Sequence, residues 1–362
     1  MKIGLLTIHV GHNFGSNLQT IASCRILKEL GGDPFVINYI PSRVSPKTYW
    51  KEAMESPIRF VRRCIAAPNF YSNIRIYESF LNKHCIVSSP LYDENNFVQK
   101  CPKADVYVAG SDQIWNSHHN RGFNDRYFFA GFPDSTRKIS LSSSFGVESL
   151  PEDEFVKVKD LLAQFEAISV REKSAQQLVA SMGLNSTQLL DPTLMLDRFQ
   201  WQEYMSKRII KENYLLMYAP YNIKDKKQLY EAARVIAQAK GLKVVTFSFD
   251  FRGEPHVDKT IKYANPGEFL SLMHYADYVI TNSFHGTAFS INLNKQFWTF
   301  LPSGFGTRIR SIIELCGLND RIKSSTLSVE DLQQSIDYTS VNAILDKERE
   351  KAKSFLSNVL KK

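Results

Sequence analysis

Short apolar runs alternate with stretches of helical periodicity along most of this chain, and that alternation constrains the fold more than any other feature. Ile3-Gly4-Leu5-Leu6-Thr7-Ile8 is followed by a helical stretch through Leu18, Ile21, Ala22, Ile26 and Leu30, which stops at Gly31-Gly32, and then by Phe35-Val36-Ile37-Asn38-Tyr39. This is the pattern of a βαβ unit and a parallel sheet. Further strands are expected at 105–110, 138–143, 166–170 and 188–191, a first sheet of about six strands. A second series begins at Tyr214–Ala219 and continues through a helix from about Asp225 to Lys240, strands at 242–247, 278–280 and 296–300, and helices near 269–273, after Ser283 and through 309–315. The expected fold class is therefore α/β, with two Rossmann-like domains facing a cleft. Residues 1–192 form the first, 193–212 a linker, 213–340 the second and 341–362 a C-terminal helix. Ligands of open α/β sheets bind at the carboxyl ends of the strands, which is where motifs should lie.

Composition narrows the function classes. At 43% hydrophobic and 23% charged residues the chain is neither disordered nor fibrous. No stretch approaches the ~20 apolar residues of a membrane span, and the N-terminal run reads as a buried strand, not a signal peptide. Five cysteines, without a C-x-x-C pair, fit reduced thiols in the cytoplasm. The net charge is +8, and Arg43, Lys47, Lys51, Arg59, Arg62, Arg63 and Arg75 face only Glu52 and Glu55 within residues 41–75. Their interleaving with Trp50, Met54, Ile58, Phe60, Val61 and Ile65 describes a basic amphipathic insert. It fits either a helical hairpin packed on its own domain or a peripheral contact with an anionic membrane. The basic residues are not repeated along one helix face and no recognition motif accompanies them, so nucleic acid is not an expected partner.

Candidate site residues cluster where strands end. Gly11-His12-Asn13-Phe14-Gly15-Ser16-Asn17-Leu18-Gln19 is a polar turn leading into a helix, able to offer N–H groups to an anion or to sugar hydroxyls, or to be an ordinary turn capped by Ser16. In Gly110-Ser111-Asp112-Gln113-Ile114-Trp115-Asn116, Asp112 and Gln113 suit sugar hydroxyls and Trp115 a flat apolar wall, with loop capping by Asp112 the alternative. Arg171 emerges at a strand end, suited to clamp a carboxylate or phosphate, or to pair internally with Glu172 or Asp191. Thr281-Asn282-Ser283-Phe284-His285-Gly286-Thr287 places His285 in a first helical turn, fitting an anion or proton-transfer site. Gly304-Phe305-Gly306-Thr307-Arg308-Ile309-Arg310 adds cations. No cluster of Asp, Glu, His or Cys has metal-ligand spacing.

Taken in order, the N-F-G-x-x-L-Q, G-S-D-Q-I-W-N, S-V-R-E-K-S, D-P-T, S-F-H-G-T-A-F-S and T-R-I segments resemble the polysaccharide pyruvyl transferase family over about residues 3–317. The resemblance implies a fold like that of two-domain (GT-B type) glycosyltransferases, phosphoenolpyruvate as donor, no cofactor or metal, and a pyruvate ketal formed on two hydroxyls of a sugar or lipid-linked oligosaccharide acceptor. By the same resemblance Arg171 and His285 are the catalytic pair. Arg308, Ser283, Asn282 and Gly286 fall on the donor side, and Asn13, Ser16, Asn17, Gln19, Ser111, Asp112, Gln113 and Trp115 on the acceptor side. Two alternatives stay open: a nucleotide-sugar glycosyltransferase of similar architecture, for which Glu314 is the one candidate ribose acid, and an inactive sugar-binding relative.

Overall fold

A computed structural model describes residues 1–11, 13–92, 96–221, 226–248, 253–254, 256–302, 306–324 and 327–361. His12, Asp225, Gly304 and Phe305, named above, lie outside the described residues. The chain divides into two compact units, Met1–Met195 with Lys351–Lys362, and Leu196–Glu350.

In the first unit β1 (Lys2–Leu6) is central, with β2 (Asp33–Val36) on one side. The chain then leaves the sheet through β3 (Tyr39–Ile40), which pairs with β4 (Leu91–Tyr92), and returns at β5 (Val106–Ala109) and β6 (Arg137–Ser140). The order β2-β1-β5-β6 is parallel throughout. Four of five β1 residues are buried, which is why this strand reads as a continuous apolar run rather than an alternation. The topological switch lies between β1 and β5, so the loops after those two strands flank it.

The expected six-stranded sheet is four regular strands with a ragged extension. The strands β7 (Ser169–Val170) and β8 (Thr187–Gln188) pair with each other, while Ala167 and Val170 meet Ile139 and Ser143 only through isolated bridges. Serine hydroxyls are the reason. Ser140 Oγ accepts from Ser169 N at 2.7 Å and donates to Ser169 O, and Ser169 Oγ donates to Ser140 O and accepts from Ser142 N, so side chains replace part of the ladder.

Helix α1 (Phe14–Glu29) starts at Asn13, whose side chain accepts from Gly15 N and Ser16 N. Ser16, expected as the cap, is instead inside the helix. The basic insert forms α2 (Pro46–Ala53) and the 28-residue α3 (Pro57–His84), each opened by a serine N-cap and a proline at its first position. The two pack together: Tyr49 stacks on Phe70 with centroids 4.1 Å apart, Arg63 lies over the Tyr49 ring and donates to Glu52 at 2.8 Å, and Trp50 Nε1 donates to Tyr71. Further along α3, Tyr77 and Leu81 are buried and Tyr77 meets Phe14.

The second unit holds one parallel sheet: β9 (Tyr214–Tyr218), β10 (Lys243–Ser248), β11 (Lys259–Lys262), β12 (Tyr278–Thr281), β13 (Gln296–Phe300) and β14 (Ile322–Lys323), in the order β11-β10-β9-β12-β13-β14. Its switch point falls between β9 and β12. The stretch expected as a linker carries the short helix Pro192–Met195 and a helical turn at Gln200–Tyr204 whose Trp201 is fully buried against Phe289, so it is anchored structure. The C-terminal helix runs unbroken from Tyr338 to Leu360.

Candidate functional site

At the switch point of the first unit, the turn after β1 and the loop after β5 are joined by hydrogen bonds. Thr7 Oγ1 donates to Ser111 O at 2.7 Å, Ser16 Oγ donates to Asp112 Oδ2 at 2.6 Å, and Gln19 Nε2 lies within 3.0 Å of Thr7 Oγ1, Ile8 O, Ser16 O and Thr20 Oγ1. Asp112 sits at φ 72°, a left-handed conformation that Asp tolerates better than most residues but that still costs energy. Gln113 N donates to its Oδ1. The two motifs are thus one constellation.

Most of the residues expected to bind acceptor support this constellation instead of presenting themselves. Asn13 caps α1, so the Gly15 and Ser16 N–H groups are already bonded. Asn17, Gln19, Ser111 and Gln113 are buried; Asn17 donates to Tyr77 O, Ser111 to Asp191 Oδ2, and Gln113 accepts from Asn116. Trp115 is not a flat wall for a sugar. It stacks on Phe128 at 5.4 Å, touches Phe145 and Phe165, and donates to Tyr127 O within the apolar core.

Arg171 is the centre of a buried ion cluster. Its Nη1 is 2.6 Å from Asp191 Oδ2, and Asp112 and Glu172 each lie at 3.8 Å. Burial alone would depress the guanidinium's pKa, but Asp191, Asp112 and Glu172 together outweigh it and hold it above its ordinary value. Glu172 Oε1 in turn accepts from Ser144 Oγ and from the N–H groups of Phe145 and Gly146, and Asp191 Oδ1 from Thr193. The internal pairing of Arg171 is therefore the arrangement present, and an outward clamp is not. In the sequence Glu172 and Asp191 stand out only as alternative internal partners of Arg171; the signal that marks them is that each, like Arg171, lies just past an apolar strand. Beside the β1 loop, His9, Asn38, Tyr71, Tyr77, Glu78 and Leu81 help line a cavity of about 420 Å³. His9 is buried between Thr7 O and Asn38, and desolvation lowers its pKa despite both bonds.

At the switch point of the second unit, the segment after β12 opens the helix Phe284–Asn292. Asn282 is buried and clips this turn to the one after β9 by donating to Tyr221 O at 2.7 Å. Ser283 stands at the N-cap without capping the helix. The first-turn N–H groups are left without a side-chain cap, unlike those of α1. Gly286 has a packing reason: a Cβ there would overlap Thr281 Oγ1 and come within 3.0 Å of Tyr218, so only glycine lets the helix end approach the sheet this closely. His285 is in that first turn, its ring set edge-on to Phe284 at 5.0 Å. Arg308, in the first turn of the helix Thr307–Leu315, lies 5.6 Å from the same Phe284 ring, and that helix also has no side-chain cap. His285, Arg308 and two uncapped helix ends thus gather around one aromatic ring. Tyr218, Pro220, Tyr230, Phe247 and Glu254, at the ends of β9 and β10, help line a cavity of about 310 Å³. Tyr218 was not among the expected residues; burial raises its pKa, and its position as an aromatic at a strand's carboxyl end is the signal that could have found it. Glu314 is exposed.

Solved structures share this fold at low identity. A putative UDP-N-acetylglucosamine 2-epimerase from Listeria monocytogenes is 11% identical with a TM-score of 0.53, the match covering 98% of this chain and 90% of that one. The Methanocaldococcus jannaschii UDP-GlcNAc 2-epimerase in complex with UDP-GlcNAc and UDP is 13% identical with a TM-score of 0.52, covering 100% and 99%. The S. aureus MnaA–UDP structure is 12% identical with a TM-score of 0.51, covering 97% and 90%. At such identity the likeness shows a GT-B-like fold and nothing of the ligand. Comparison with curated proteins gives no match. The family model for polysaccharide pyruvyl transferase matches residues 13–304, a span that contains the constellation around Asp112 and Arg171 and the His285 turn. With most of its length matched, the chain belongs to the polysaccharide pyruvyl transferase family.

Proposed function

We propose that this transferase uses phosphoenolpyruvate to place a pyruvate ketal on two hydroxyls of a sugar in a polysaccharide or its precursor. The observation that carries the reading is the gathering of His285, Arg308 and two uncapped helix N-termini at the switch point of the second unit. Phosphoenolpyruvate carries about three negative charges, and helix ends with an arginine are suited to phosphate and carboxylate oxygens.

The chemistry is balanced by two proton movements. Protonation of the methylene carbon leaves cationic character on the central carbon, which one sugar hydroxyl attacks. The bond from that carbon to the phosphate oxygen breaks, the neighbouring hydroxyl closes the ring, one of the two hydroxyl protons departs on phosphate and the other replaces the proton given to the methylene carbon. His285 is the proton-transferring group in this scheme. Arg308 holds an anionic oxygen of the donor. Arg171 holds the constellation of the first unit together through Asp191 and Asp112.

Incubation with phosphoenolpyruvate and a panel of nitrophenyl and lipid-linked sugars tests this. Phosphate release together with the mass gain of a pyruvate ketal is expected. Turnover of a UDP-sugar across the same panel, with none of phosphoenolpyruvate, would overturn it in favour of the nucleotide-sugar reading.

A further inference from the structure

One surface of the first unit is left unexplained by the transfer chemistry. Of the thirteen large hydrophobic residues exposed among the described residues, six are in or between α2 and α3: Met54, Ile58, Phe60, Val61, Ile65 and Tyr71. Ile58, Val61 and Ile65 are 67%, 57% and 66% exposed and spaced i, i+3, i+7, so they form one stripe along the first half of α3. The opposite side of the same turns is the one that packs on α2 through Arg63 and Phe70. The helix is therefore apolar on two faces, and intramolecular packing accounts for only one of them.

Charge identifies what covers the other. Lys51, Arg59 and Arg62 are exposed on the same hairpin, Arg62 flanking the stripe next to Val61, with Glu55 paired to Arg59. A second copy of this chain meeting the patch through a two-fold axis would set these cations against their own counterparts. An anionic sheet of headgroups above an apolar interior complements both the charges and the stripe. Among the described residues no helix is long and apolar enough to cross a membrane, so α3 would lie in the interface.

We infer that the α2–α3 hairpin docks on an anionic lipid bilayer through Met54, Ile58, Val61 and Ile65, with Lys51, Arg59 and Arg62 on the headgroups. Arg63 is excluded from the lipid contact because it holds α2 to α3. The docking does not rest on the pyruvyl-transfer reading, and its test needs no turnover.

The full chain is sedimented with phosphatidylglycerol-containing vesicles and with phosphatidylcholine vesicles. Binding to the first should exceed binding to the second. It should fall at least about tenfold in a K51S/R59S/R62S variant, since each basic residue near an anionic surface contributes a several-fold factor. I58S/V61S/I65S should lose binding comparably, and raising salt from about 0.1 to about 1 M, which shortens the screening length from ~10 to ~3 Å, should release the native chain. All six substituted positions are exposed, so unchanged thermal unfolding is expected and is checked for each variant. Absence of binding to anionic vesicles at low salt overturns the inference. So does binding that both variants retain, and so does a concentration-dependent dimer that I58S/V61S/I65S abolishes while no vesicle is bound.

Discussion

Replacing Arg171 separates the two roles a buried arginine can have at this position. In the native chain its guanidinium is 2.6 Å from Asp191 and 3.8 Å from both Asp112 and Glu172, all of them buried. Arg171→Met removes the one cation among three carboxylates. At about 4 Å and an effective dielectric near 20 each such contact corresponds to about 4 kcal/mol of gross attraction, offset by the desolvation that the native cluster already bears. Breaking a buried pair by deleting one partner costs about 3–5 kcal/mol net. For a unit of this size that is about 6–20 °C in melting temperature, at ~2–4 °C per kcal/mol. Arg171→Lys keeps the charge but loses the planar fork, so a loss of about 1.5–3 kcal/mol, one charge-assisted hydrogen bond, is expected.

Calorimetric melting of the native, Met and Lys forms at neutral pH measures both losses. A Met variant that melts within about 2 °C of the native chain at neutral pH, while phosphoenolpyruvate binding is lost, would refute the reasoning and return Arg171 to the outward clamp expected from its sequence position.

Other perturbations give distinct outcomes. His285→Ala should lower turnover by at least ~10²-fold with melting unchanged within assay error, measured by phosphate release; an active variant would misplace the proton-transfer site. Gly286→Ala forces a methyl onto Thr281 and should cost about 1–3 kcal/mol by urea titration, with donor affinity falling as the helix end shifts. His9, its pKa lowered by burial, binds protons less readily folded than unfolded, so stability should fall as pH drops below its ordinary ~6.5, and His9→Gln should flatten that slope. Turnover is expected to survive chelator treatment, because side-chain cations and helix ends supply the positive charge in the proposed site; loss restored by magnesium would contradict this.

The βαβ alternation was legible because burial on both faces of β1, β5, β9 and β12 demands near-continuous apolar runs. Their strand ends then located the candidate site. What was not legible is which polar residues face inward at those ends. Trp115 follows a strand and precedes a helix, a place where an aromatic often meets ligand. Only the return of Phe128, Phe145 and Phe165 from later segments encloses it. Arg171 and Asp191 are brought together by the β7–β8 pairing, and both strands are two residues long, too short for periodicity to reveal. Phe35–Tyr39 reads as one strand because four of its five residues are apolar or aromatic, yet the chain leaves the sheet at Ile37-Asn38 so that Tyr39 pairs beside Leu91.

The two helix starts that looked alike in sequence differ in one physical respect, and that difference decides where an anion can bind. Asn13 and Ser283 are both residue types that cap helices. Asn13 does so, accepting from Gly15 and Ser16, and the turn it closes is spent on holding Ser16 against Asp112. Ser283 does not, and Gly286 lets the uncapped end sit against the sheet beside His285. An anion arriving at α1 would have to displace a side chain that is already bonded. At Phe284–Asn292 no side-chain cap stands in its way, and the dipole of that helix, together with Arg308, favours negative charge there. Under the proposed function, the anionic donor is therefore assigned to the uncapped helix end of the second unit.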